Sequence, residues 1–91
     1  MPRATAKKIM VERVQTGVRI EKSLLKVLKA LAEHKDMTLG DLLEGIVLHA
    51  FEGKAPFAPE TIEHIKALKK IYGMTLGATA SHRMAEKTDE R

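Results

Sequence analysis

Apolar and polar positions repeat along this chain with two different periods. In Arg13-Val14-Gln15-Thr16-Gly17-Val18-Arg19-Ile20 the period is two: Val14, Thr16, Val18 and Ile20 share one face, and Arg13, Gln15, Gly17 and Arg19 share the other. That alternation predicts a half-buried strand. From Glu21 the period becomes helical, because Leu24, Leu25, Val27, Leu28, Leu31 and Ala32 recur at three- and four-residue steps while Lys22, Lys26, Lys29 and Glu33 fall outside that stripe. The first helix is expected to run to about Lys35. After the break His34-Lys35-Asp36-Met37, Thr38 supplies a hydroxyl N-cap with Asp41 three residues on, a carboxylate variant of the capping box.

A second helix follows on Leu42, Leu43, Ile46, Val47, Ala50 and Phe51 and should stop near Gly53. Gly45 lies inside it, which hints at a close approach by another group, since a mid-helix glycine costs about 1 kcal/mol relative to alanine. Residues 54–59 hold Pro56 and Pro59 and read as a linker. Pro59 suits the first turn of a third helix whose face is Ile62, Ile65, Leu68, Lys69 and Tyr72, ending at Gly73. Met37-Thr38-Leu39-Gly40 returns as Met74-Thr75-Leu76-Gly77, an echo too short to mark a repeat unit. The organisation expected is a flexible basic arm over residues 1–12, a working domain over 13–53, and a linker, third helix and frayed tail over 54–91.

A lone strand cannot satisfy its own backbone N–H and C=O groups. With no second strand signal in the chain, the simplest partner is the same segment of another copy, antiparallel about a two-fold axis. The fold class expected is therefore mainly α, with one N-terminal strand paired across a homodimer and two helices plus a third behind it. Its dimer core would hold Val14, Thr16, Val18, Ile20, Leu24, Leu28, Leu42, Ile46 and Val47. Sharing a core between two chains also answers the marginal size of about 40 working residues.

Composition narrows the function. The chain has 91 residues, no cysteine and 3% aromatic residues, which removes disulfides and cysteine chemistry and makes a self-contained enzyme a poor fit. No apolar run approaches the roughly 20 residues that span a bilayer, and the first ten residues are basic without an apolar signal core, so a cytoplasmic, nucleoid-associated protein is expected. The net charge of +4 is unevenly placed. Residues 1–30 carry Arg3, Lys7, Lys8, Arg13, Arg19, Lys22, Lys26 and Lys29 against Glu12 and Glu21; residues 31–60 carry Lys35 and Lys54 against Glu33, Asp36, Asp41, Glu44, Glu52 and Glu60. A polyanion is the natural partner of the basic end.

Strand, helix, short turn and capped helix over residues 13–53, above all Gln15-Thr16-Gly17-Val18-Arg19-Ile20 leading into Glu21-Lys22-Ser23-Leu24-Leu25, resemble the ribbon-helix-helix superfamily of Arc- and MetJ-like DNA-binding proteins. The resemblance implies that the outward strand residues Gln15, Gly17 and Arg19 enter the major groove. Chemistry suits two of them: an arginine bonds bidentately to guanine O6 and N7, a glutamine to adenine N6 and N7. Gly17 stands where a polar side chain is expected, so either the ribbon sits closer to the bases there or base reading gives way to DNA shape or to dimers bound side by side.

Phosphate contacts are expected from Lys7, Lys8 and Arg13, and from Thr38 with the free N–H groups of Leu39 and Gly40 at the start of the second helix. His34, His49, His64 and His82 have no helical ligand spacing, so no metal site is expected, and no nucleophile–base pattern or phosphate loop argues for catalysis or a cofactor. The leading reading is a sequence-specific transcriptional repressor binding double-stranded DNA as a homodimer. The alternatives are an antitoxin that captures a protein partner through residues 59–72, and a protein-interaction module without a DNA role.

Overall fold

The computed structural model describes residues 8–87. Three helices carry it: α1 over Lys22–His34, α2 over Leu39–Phe51 and α3 over Pro59–Tyr72, followed by a single 3-10 turn at Ala78–Ala80. Each helix starts where local chemistry can hold its first N–H groups. The Glu21 carboxylate accepts from the Leu24 N–H at 2.8 Å and from the Ser23 hydroxyl at 2.7 Å, and the Thr38 Oγ1 accepts from the Asp41 N–H at 3.0 Å. Pro59 opens α3, where its missing N–H costs nothing.

All three helices end in the same way. The residue past the end takes positive φ, at 56° for Asp36, 69° for Gly53 and 66° for Gly73. The next N–H then reaches back to the helix: Met37 to the Ala32 carbonyl at 3.0 Å, Lys54 to His49 at 2.9 Å and Met74 to Lys69 at 2.8 Å. This six-to-one bond is the Schellman termination. It turns Met37 and Met74 back onto the helices, where both pack against the core.

The core is small and centred on α1. Val27, Leu31 and Ala32 of α1 meet Leu42 of α2 and Leu68 of α3, with Leu28, Ile46, Phe57 and Ile65 among the side chains closing around them. Among the described residues α1 packs against both other helices, and no α2–α3 packing is present. Helix α3 is thus held by α1, as α2 is.

The expected strand is absent from the described residues, which overturns the ribbon-helix-helix fold class. Among the described residues, no backbone hydrogen bond ties residues 8–20 to the rest of the chain. The apolar half of the alternation is not buried either, with Val14 79% and Val18 73% exposed. A strand needs both a neighbour to exchange N–H···O=C bonds and a core for one face. The described residues offer no strand as neighbour, and their core is filled mainly by helices. Gly45 also departs from expectation, since a Cβ there would meet nothing within 4 Å and no close approach within the chain requires the glycine.

Candidate nucleic-acid interface

Residues 12–18 and Ile20 form one wall of an open groove of about 1070 Å³; the other wall is Thr38, Leu39, Gly40, Asp41, Leu43 and Glu44 at the start of α2, with Leu25 of α1. The fold therefore brings Arg13, Gln15 and Gly17 to the same groove as Thr38, Leu39 and Gly40, whereas Arg19 and Lys8 do not line it. One ion pair ties the walls: Arg13 Nε donates to Glu44 Oε2 at 2.9 Å and Arg13 Nη2 to Oε1 at 2.8 Å. This fork raises the arginine pKa and holds the Glu44 carboxyl below its ordinary value, in both cases mainly through the side-chain hydrogen bond.

Gln15 and Gly17 are exposed. Arg19 is exposed too, but its guanidinium donates through Nε to Glu86 Oε1 at 3.1 Å and through Nη2 to Oε2. At the start of α2 the Thr38 carbonyl accepts from Leu42 N–H, while the N–H groups of Leu39 and Gly40 donate to no acceptor among the described residues. They remain open for an anion, with the helix dipole behind them. The groove around them is not basic, because Glu12, Asp41 and Glu44 line it and Arg13 is its sole cation among the described residues. Lys8 is exposed, and Lys7 lies outside the described residues.

The uncompensated positive charge sits elsewhere. Lys22, Lys26 and Lys29 are exposed at one- and two-turn spacings along α1, and none has a carboxylate within ion-pair distance among the described residues. Sequence reasoning placed these lysines outside the apolar stripe without nominating them. Their i, i+4, i+7 spacing was the signal that could have done so.

The residues assigned to a shared core divide by depth. Leu42 is buried, while Ile20, Leu24, Leu28 and Ile46 are half-buried. Val14, Thr16, Val18 and Val47 are exposed. Helix α2 is apolar on most of its circumference, yet only Leu42 is buried in it. Leu42 and Ile46 face the core; Leu39, Leu43, Val47 and Phe51, spaced one turn apart, form a second stripe whose far end is uncovered, with Phe51 81% exposed. On α3, Ile65 and Leu68 pack into the core, leaving Ile62, Ile71 and Tyr72 at the surface.

Two histidines far apart in sequence meet in space. The rings of His34, at the end of α1, and His64, in α3, stack with centroids 3.9 Å apart and planes 29° apart. No group of three histidine, cysteine, aspartate or glutamate side chains that could hold a metal ion occurs among the described residues, and no described helix is long and apolar enough to cross a membrane. No known protein family, curated protein or solved structure matches the chain.

Proposed function

We propose that this protein binds double-stranded DNA as a homodimer and acts as a transcriptional repressor. The observation that carries the reading is the lysine stripe Lys22, Lys26 and Lys29, exposed on α1, without an ion-pair partner among the described residues, and close in sequence to the exposed residues 13–19. A row of lysines at this spacing neutralises successive phosphates of a duplex and sets the protein on its backbone without reading sequence. Base reading then falls to Gln15 and Arg19, delivered by an exposed segment that Gly17 allows close to the base edges. The open N–H groups of Leu39 and Gly40 add a further phosphate contact.

A second copy is the partner proposed for the bare stripe of α2. A helix apolar on nearly all sides belongs in a buried setting, and one chain buries only Leu42 of it. The exposed Val47, Leu48 and Phe51 favour, as a second reading, a protein-interaction module or an antitoxin docking a different chain there. Residues 59–72 are less suited to that docking, because Ile65 and Leu68 already face α1.

Fluorescence anisotropy of a labelled duplex against salt concentration tests the DNA reading. With three to four phosphates engaged per chain, log K is expected to fall against log salt with a slope of about −3 per chain. Absence of duplex binding even at low salt would overturn it and leave protein docking as the reading. Selection from random duplexes then reports whether Gln15 and Arg19 read an inverted repeat.

A further inference from the structure

The C-terminal segment returns to the residues that the proposed function assigns to base reading, and it brings a carboxylate with it. Met74 packs against the core, Leu76 and Ala80 are half-buried, and the 3-10 turn at Ala78–Ala80 is continued by Arg83, whose N–H donates to the Ala80 carbonyl at 3.0 Å and whose guanidinium donates to the Thr79 carbonyl at 3.3 Å. Glu86 lies three residues beyond this turn, in an exposed stretch of chain. Its two carboxylate oxygens take the Nε and Nη2 donors of Arg19, 67 positions away in sequence.

We propose that Glu86 is an intramolecular competitor of DNA: it occupies Arg19 in the free protein and must be displaced before Arg19 meets a guanine or a phosphate. The inference rests on the DNA-binding reading above. A guanidinium fork accepts one bidentate partner on a given edge, and carboxylate, phosphate and the guanine O6/N7 pair all present matching acceptor geometry. Glu86 also sets a negative charge beside Arg19 that repels an arriving phosphate. The pair is solvent-exposed, with side chains 83% and 64% accessible, so its hold is weak enough to be exchanged on binding. The result is a modest brake that falls hardest on duplexes offering Arg19 nothing better than the carboxylate. Binding to a matched site would release Glu86 from Arg19.

The experiment compares the full-length protein with Glu86→Gln, Arg19→Ala and the double variant, using anisotropy on random-sequence and selected duplexes. Glu86→Gln is expected to tighten binding about 2- to 5-fold, the range of an exposed ion pair, and more on random than on selected duplex. On the Arg19→Ala background the same change should give no gain. In the absence of DNA, the Arg19 Nε–H resonance should shift on Glu86→Gln. A parent that binds duplex while Glu86→Gln binds no more tightly overturns the competitor role and leaves the DNA reading intact. A gain that persists without Arg19 overturns it as well, since overall charge would then be the cause. If neither parent nor variant binds duplex, the DNA reading itself falls and the competitor with it.

Discussion

Arg13 and Glu44 show how much a single exposed pair can organise and how conditional that organisation is. Their bidentate bond is the one hydrogen-bonded link between residues 8–18 and the helices among the described residues. The Glu44 carboxyl is held below its ordinary value of 4.5 chiefly by the Arg13 hydrogen bond, and Glu21 is lowered by the Ser23 hydroxyl and the Leu24 N–H. A carboxyl lowered in the folded chain stabilises it fully above its unfolded value, and that contribution disappears as pH falls through the lowered folded value. Acidification from about pH 5 to about pH 3 is therefore expected to free residues 13–18 from α2 and loosen the start of α1. Amide chemical shifts of residues 13–20 followed through a pH titration check this. Shifts that stay constant to pH 3, or that change equally in Glu44→Gln, would rule out the pair as their anchor. The sequence nominated Arg13 only as a phosphate contact, because a pair 31 residues apart has no local signal.

At the scale of elements, helix ends were the most legible feature of the chain. Thr38, Pro59, Gly53 and Gly73 occupy the terminal positions that their chemistry assigned, since caps and terminal glycines act through bonds three to five residues away. Glu21 was missed as the cap of α1 because glutamate is not a favoured cap; here its longer side chain reaches Leu24 N–H all the same. The positive φ of Gly53 and Gly73, with open space where a Cβ would stand, isolates the backbone term. Gly53→Ala and Gly73→Ala are each expected to destabilise the chain by about 1–2 kcal/mol through the left-handed backbone alone. Urea denaturation measures it, and an unchanged midpoint would mean that these ends do not need the left-handed residue. The strand was misread at this scale because period-two alternation records only which faces differ in polarity. Whether one face is buried depends on what else the fold places against it.

For the molecule as a whole, the deciding fact is how little one chain buries. Among the described residues five buried side chains form its core, and a second apolar stripe on α2 is left in water at Val47 and Phe51. If that stripe is the homodimer contact, sedimentation velocity should show concentration-dependent dimerisation of the parent. The double variant Val47→Lys, Phe51→Lys should then remain monomeric with its helical circular dichroism retained, because both positions are exposed in the single chain. A parent that stays monomeric at every concentration would remove the dimer from the proposed function, whereas a variant that still dimerises would place the contact elsewhere.

The sequence by itself determined the features that depend on neighbours within a helical turn or two: three amphipathic helices, their caps and terminal glycines, and the separation of a basic first third from an acidic middle. The lysine stripe of α1 was written there as well, at a spacing that any helix turns into a row. Tertiary structure alone decided the rest, because it depends on which surfaces compete for one small core. It gave the interior to α1, α2 and α3 and left Val14 and Val18 outside. It joined Arg13 to Glu44, Arg19 to Glu86 and His34 to His64 across separations that no local pattern encodes.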